Sequence, residues 1–286
     1  MKTIEVKELT KYYKTNKALD CLNFTIEPGK IYGLLGRNGA GKTTLLNLMT
    51  GRIFPTEGEI RIDGENVHEN DKVLGSIFYM TEKNLYPVEE RVKNILKWSR
   101  QFYPKFDMEY ARDLADKFGL DTNKKVKNLS TGYTSIFKAV TALASNADII
   151  LFDEPVLGLD ANHRDMLYKE LLANYAQNPR TIIISTHLIE EVARVLEEVI
   201  IIKEGKLIVK SPVEELLACS YTATGEASKI DKYIEGRKYT GIEQTGNMKS
   251  VIVLEDIKER STGLAKELGI DFSKTELQKL FISLTN

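Results

Sequence analysis

The chain is poor in the residues that build disulfide or metal chemistry. Two cysteines, Cys21 and Cys219, form no paired pattern and suit a reduced cytosol. Three histidines are scattered without metal-ligand spacing. No stretch reaches the ~18 consecutive apolar residues of a membrane span, so any membrane part of its task is expected on another chain. Met1 to Val6 has no signal-peptide apolar core. Neither charge sign dominates: the formal net charge is -1, which argues against nucleic-acid binding by bulk charge. The basic run Lys124-Lys125-Val126-Lys127 reads as a solvated loop. What remains is an ordinary globular composition, 42% hydrophobic and 28% charged. At 286 residues it suffices for one large domain and a small one. No internal repeat or low-complexity segment interrupts it.

Short strands are predicted at 4–7, 22–26 and 31–35, with Glu27-Pro28-Gly29-Lys30 as a turn. Another falls at 59–64. Helices follow near 89–102, at 108–118 and from about Ser130, each with apolar residues at helical spacing. Then Ile149-Ile150-Leu151-Phe152 and Ile182-Ile183-Ile184 are short continuous apolar runs, the pattern of strands buried on both faces of a mainly parallel sheet. The helix between them, carrying Leu167, Leu171 and Tyr175, implies a right-handed crossover. A hairpin turns at Glu204-Gly205, and a helix over 212–218 leads out. Residues 219–286 read as a small α/β appendage: strands near Tyr221 and at 250–254, helices near 228–234 and from Asp256. Its last helix is marked by a capping box, Ser273-Lys274-Thr275-Glu276, and an apolar stripe of Leu277, Leu280, Phe281 and Leu284.

Four motifs carry chemistry. Residues 36–43 read Gly36-Arg37-Asn38-Gly39-Ala40-Gly41-Lys42-Thr43, the G-x-x-x-x-G-K-T string, directly after an apolar strand. Its glycines let backbone N–H groups turn around a polyphosphate, Lys42 brings positive charge to the β- and γ-phosphates, and the Thr43 hydroxyl can ligate Mg²⁺. A helix starting near Gly41 adds its positive dipole end. The strand at 149–152 ends in Asp153 and Glu154, one placed to hold Mg²⁺ and the other to polarise an attacking water. Asn128-Leu129-Ser130-Thr131-Gly132-Tyr133 offers an N-cap hydroxyl and a bare glycine at a helix start. Ile184-Ser185-Thr186-His187 puts a histidine at a strand's carboxyl end, in the layer of the γ-phosphate.

In order and spacing this set resembles the ATP-binding subunit of an ABC transporter over residues 1–218. The resemblance implies an α/β fold: a P-loop NTPase core with a mainly parallel sheet, an antiparallel β subdomain, a helical subdomain at about 85–145, and the small C-terminal α/β appendage at 219–286. It implies that Tyr13 stacks on adenine and that Gly36, Asn38, Gly39, Ala40, Gly41, Lys42, Thr43 and Thr44 hold the phosphates. Asp153, Thr43 and Glu82 fall at the Mg²⁺ positions, Glu154 and His187 at the catalytic ones. Ser130 and Gly132 match the signature, Asp160 the D-loop. The expected cofactors are ATP and Mg²⁺. The expected partners are a second copy or a related ATP-binding subunit, head to tail, and an integral membrane permease. The permease would insert a short helix into a groove between the sheet core and the helices at 89–128, close to Glu82, and hold the subunit at the inner face of the cell membrane.

Several positions depart from the family pattern. Thr131 and Tyr133 stand where glycine and glutamine are usual, Glu82 replaces a neutral glutamine, and Ile136 replaces a basic residue. These bear on turnover rate rather than on activity itself. Glu82 and the appendage resemble the type 2 exporter branch, and Phe102 to Asp107 resembles bacterial peptide and antibiotic efflux ATPases. Two other readings are a soluble ABC-type ATPase without a transport role and a regulatory GTPase. The GTPase lacks its guanine-reading Asn-Lys-x-Asp element downstream of the phosphate loop.

Overall fold

A computed structural model of the chain describes residues 2–255 and 262–286. It opens with a long hairpin, β1 (Ile4–Tyr13) and β2 (Asn16–Ile26), followed by β3 (Ile31–Leu35) and α1 (Lys42–Met49). Next come β4 (Glu57–Ile62), β5 (Glu65–Asn66), α2 (Asp71–Leu74) and β6 (Ile77–Met80). Three helices then follow in succession: α3 (Val92–Phe102), α4 (Met108–Lys117) and α5 (Thr131–Ala144). The chain returns to strands with β7 (Ile149–Asp153), α6 (Ala161–Gln177), β8 (Thr181–Ser185) and the one-turn α7 (Ile189–Val192). β9 (Glu198–Lys203), β10 (Lys206–Pro212) and α8 (Val213–Ala218) complete this part. The remainder is β11 (Tyr221–Glu226), α9 (Ala227–Tyr233), β12 (Tyr239–Thr245), β13 (Met248–Val253), α10 (Thr262–Leu268), β14 (Asp271–Lys274) and α11 (Leu277–Thr285).

The central sheet has the order β10-β9-β3-β8-β7-β6. Every pairing from β9 to β6 is parallel, and β10 joins the edge antiparallel. Its strands alternate strictly between two cores, as a pleated strand requires. Ile150, Phe152, Ile182, Ile184, Val199 and Ile201 face the cluster formed with α3 to α6. Ile149, Leu151, Ile183, Ile200 and Ile202 face the other, formed with α1 and the antiparallel sheet β2-β1-β4-β5. The continuous apolar runs are therefore strands buried on both sides.

Two local expectations need correction, and one strand is unannounced in the sequence. β1 and β2 are 10 and 11 residues long, not short strands at 4–7 and 22–26. Bulges shift their register, with Glu8 and Cys21 at positive φ, and these irregularities break the alternation that a strand shows in sequence. The Ser273 capping box does not form: Ser273 and Lys274 pair in β14 with Thr222 and Tyr221, and α11 begins at Leu277 behind Glu276, which makes no side-chain cap. β12 is an edge strand of mostly exposed polar residues, without an apolar run to announce it. The helix expected from Asp256 falls partly outside the described residues; α10 begins at Thr262.

The C-terminal unit runs β-α-β-β-α-β with the antiparallel order β12-β13-β11-β14, the split β-α-β arrangement. Its own core joins Tyr221, Val251 and Val253 to Ile230, Tyr233 and Ala265 of the two helices. α11 leaves this unit. Leu277 and Phe281 belong to the core cluster of the central sheet, and Leu284 packs against it. Gln278 Oε1 accepts from Glu190 N at 3.1 Å, Asn286 Oδ1 accepts from Arg37 Nη1 at 3.1 Å, and the Asn286 carbonyl accepts from Lys203 Nζ at 2.7 Å. On its other side Ser283 O accepts from Thr240 Oγ1 of β12 at 3.1 Å. α11 thus cements the C-terminal unit to the main core. Phe281→Ala should cost about 3 kcal/mol by leaving a cavity. The change should appear as earlier loss of Trp98 fluorescence in urea, because the chain's one tryptophan lies on α3, within the main core's own helices.

Candidate active site

The carboxyl ends of β3, β7 and β8 lie side by side, with Asp153 opposite Ser185 in the β7–β8 register. Past β3 the chain turns through residues 36–41 into α1. Gly39 and Gly41 take φ +82° and +108°, values that a side chain disfavours. Space adds to the demand, since a Cβ on Gly41 would sit 2.6 Å from the Ala18 carbonyl oxygen and one on Gly36 2.6 Å from that of Ile202.

Lys42, the first residue of α1, is buried, and its ammonium donates to the carbonyls of Gly36 at 2.6 Å and Arg37 at 3.3 Å. An ammonium has three donors, so one is left for an anion. Burial pulls the Lys42 pKa down, while the carboxylates of Glu154 and Asp153 act the other way. Thr43 Oγ1 donates to Asp153 Oδ2 at 3.0 Å, and the Tyr79 hydroxyl donates to the same oxygen at 3.3 Å. Asp153 is itself buried.

Glu154 follows β7 in the left-handed region, φ +53°, and its N–H donates to Ser185 O at 2.8 Å. That turn carries its side chain toward the end of β8. Thr186 Oγ1 donates to Glu154 Oε2 at 3.1 Å, and His187 Nδ1 lies 3.0 Å from the same oxygen. The carboxylate is mostly enclosed and the imidazole more than half exposed.

These groups surround a cavity of about 540 Å³. Tyr13, Asn38, Gly39, Ala40, Gly41, Lys42, Thr43, Thr44, Glu82, Asp153, Glu154 and His187 all line it. Gly36 does not line it, but its carbonyl holds Lys42. Ser130, Gly132 and Asp160 do not line it. Ser130 caps α5 by accepting from Tyr133 N at 3.2 Å, and Asp160 caps α6 by accepting from His163 N at 2.9 Å. That bond, with His163 Nδ1 at 2.8 Å from Asp160 Oδ2, holds the Asp160 carboxyl below its ordinary pKa. Gly132 abuts the neighbouring loop, where a Cβ would meet Gly158 O at 2.6 Å. Two site residues escape the sequence reading. Tyr79 and Thr186 both stand inside the runs around Glu82 and His187, but nothing in the string shows that their hydroxyls reach Asp153 and Glu154.

A metal here would need oxygens beyond the protein's own. Among the described residues no group of three or more His, Cys, Asp or Glu is arranged to hold one. One hydroxyl and one carboxylate, with phosphate and water completing the shell, suit the hard, octahedral Mg²⁺ ion.

Comparison with known proteins agrees with this geometry. The family model described as ABC transporter matches residues 19–157. The ABC transporter ATP-binding protein YtrB of Bacillus subtilis (strain 168) is 34% identical over 213 residues, covering 74% of this chain and 73% of that protein. The bacitracin transport ATP-binding protein BcrA of Bacillus licheniformis is 28% identical over 288 residues, covering 98% of this chain and 89% of its own length. Among solved structures, an ATP-binding subunit of an ABC transporter superposes with a TM-score of 0.68 at 25% identity, covering 74% of this chain and 91% of that one. The dimeric post-hydrolysis state of the ATP-binding cassette MJ0796, bound to ADP and Pi, gives 0.65 at 27% identity, covering 73% and 98%. With the phosphate loop and the two carboxylates meeting at one cavity, the chain belongs to the ABC transporter family, as the ATP-binding and ATP-hydrolysing subunit of a transporter.

Proposed function

We propose that this subunit hydrolyses ATP with Mg²⁺ in the cavity between residues 36–43 and the ends of β7 and β8. It does so in a head-to-tail pair with a second copy or a related subunit. The pair drives export of amphipathic peptides or antibiotics through a separate permease at the inner face of the cell membrane. The observation that carries the reading is the meeting of Lys42, Thr43, Asp153 and the Glu154–His187 pair at one cavity, while Ser130, Gly132 and Asp160 stand outside it.

In this reading the third donor of Lys42 binds the β- and γ-phosphate oxygens, and Tyr13, 45% exposed at the end of β1, offers a ring face to adenine. Thr43 and Asp153, with Glu82 at the rim, would hold Mg²⁺, which neutralises phosphate charge as the γ-phosphoryl transfers. Glu154 takes the proton of the attacking water, and His187 fixes the carboxylate from the solvent side. The new bond joins the water oxygen to the γ-phosphorus, and ADP leaves with the bridging oxygen. Ser130, exposed, and Gly132, half-buried, stand at a helix N-terminus and supply an anion site to the other subunit's γ-phosphate, which accounts for their distance from their own cavity.

A second cavity of about 500 Å³ lies between the central sheet and α3, lined by Tyr79, Thr81, Leu85, Trp98, Phe102 and Lys138 among others. Its rim is apolar and open: Leu85 is 61% exposed and Phe102 73%. Such a patch suits a short amphipathic helix of the permease. No helix among the described residues is long and apolar enough to cross a membrane, which leaves that role to the partner. The cargo class rests on the bacitracin transport relatives, one of whose alignments spans 98% of the chain and so includes the C-terminal unit.

Glu154→Gln should retain ATP in equilibrium dialysis and release phosphate at least ~100-fold more slowly, the loss that removing a general base predicts. Wild-type turnover would remove Glu154 from this role. Lys42→Ala should lose ATP affinity in the same assay. Phe102→Asp, a change at an exposed position, should shift the subunit from the washed-membrane to the supernatant fraction of cells making it at native level. Unchanged membrane retention would separate the groove from the permease.

A further inference from the structure

Lys138 has no part in the chemistry above, yet it is a lysine only 4% exposed. Its ammonium donates to two carbonyls at once, Thr81 O and Glu82 O, both at 2.8 Å. It sits on α5, the helix whose N-terminus carries Ser130 and Gly132. Thr131, Ser135 and Lys138 follow one another at i, i+4 and i+7, so they form a single stripe on that helix. The other two members of the stripe also hold loops. Ser135 Oγ donates to Leu157 O at 2.7 Å, and Thr131 packs where a Cβ on Gly158 would come within 2.9 Å of its methyl group. Leu157 and Glu82 both line the nucleotide cavity. Burial pulls the Lys138 pKa down, while the carboxylates of Glu82 and Asp153 act the other way. Ile136, at the position where the family carries a basic residue, points instead into the apolar core.

We propose that Lys138 is a positioning residue that makes the segment 81–82 and the helix α5 move as one body, so that a change at Glu82 on binding Mg²⁺ and ATP is delivered to Ser130 and Gly132. The physical ground is the cost of leaving a buried ammonium without acceptors. Thr81 and Glu82 cannot withdraw from Lys138 unless it is rehydrated or carried along, and it is fixed to a fourteen-residue helix. Each copy's α5 thereby reports the state of its own cavity to the cavity it completes across the pair. The inference rests on the nucleotide reading given above.

Trp98 lines the same groove as Thr81 and Lys138, so its fluorescence reports on this contact. The full chain is titrated with ATP and Mg²⁺, with a fluorescent ATP analogue measuring affinity in parallel. In the wild type the Trp98 signal should change on saturation. Lys138→Met should bind the analogue within about twofold of wild type, lose most of that signal change, and show kcat about tenfold lower with little change in KM. Lys138→Arg, which keeps charge and donors, should recover at least half of the signal. A Lys138→Met protein with wild-type amplitude and kcat overturns the proposal, as does a wild type that binds the analogue without any Trp98 change. A wild type that binds no ATP overturns the function instead. Should Lys138→Met not fold, lysine acetylation of the wild type decides: peptide mapping should find Lys138 protected relative to the exposed Lys97, and equal labelling overturns the proposal.

Discussion

Asp153 meets Thr43 because β3, β8 and β7 run parallel and end at one level. In that register the loop after β3, the acidic pair after β7 and the histidine after β8 open on the same edge of the sheet. Open parallel sheets bind ligands beyond the carboxyl ends of their strands, and here every charged group of the cavity reaches it from such an end, Glu82 from that of β6. An antiparallel β7 would place Asp153 and Glu154 at the far edge of the sheet. The continuous burial of β3, β7, β8 and β9 on both faces is what locks this register. A slip of one residue would exchange every side chain between two cores of different composition.

Lys42, Asp153 and Glu154 each have hydrogen-bond partners before any ligand arrives. Lys42 is held by loop carbonyls instead of a carboxylate, which keeps its positive charge available to phosphate. Asp153 is satisfied by two hydroxyls and Glu154 by a hydroxyl and an imidazole. No strong ion pair has to be broken for a triphosphate to enter. Glu154 occupies the left-handed region at φ +53°, an uncommon conformation for a carboxylate residue. Its amide bond to Ser185 offsets part of that cost and directs the side chain toward Thr186 and His187.

Much of the fold and the site could be read from the string where its signals were local. The glycines at 36, 39 and 41 are demanded by backbone angle or space that no other residue tolerates, so they leave a mark in the sequence. The runs at 149–152 and 182–184 announce doubly buried strands because no polar residue survives there. The bulged hairpin, the polar edge strand β12 and the false capping box were illegible for the opposite reason. Their form is decided by partners: Ser273 is a good helix cap by type, but the edge of β11 claims it first. Lys138 was silent for the same cause. A single lysine in an apolar helix looks like a surface residue until two carbonyls from residues 81 and 82 are found at its end.

The helix α11 completes the apolar core of the central sheet from beyond a separately folded unit. Phe281 and Leu277 fill positions beside α7 that no earlier segment supplies. Vectorial synthesis therefore delivers the C-terminal β-α-β-β-α-β unit to the ribosomal exit before the larger core can close. That unit has its own apolar centre and can fold while the sheet above it still exposes the seat of α11. During this interval the nascent chain carries an uncovered hydrophobic trough, the kind of surface that chaperones bind, until residues 277–285 clear the tunnel and seal it.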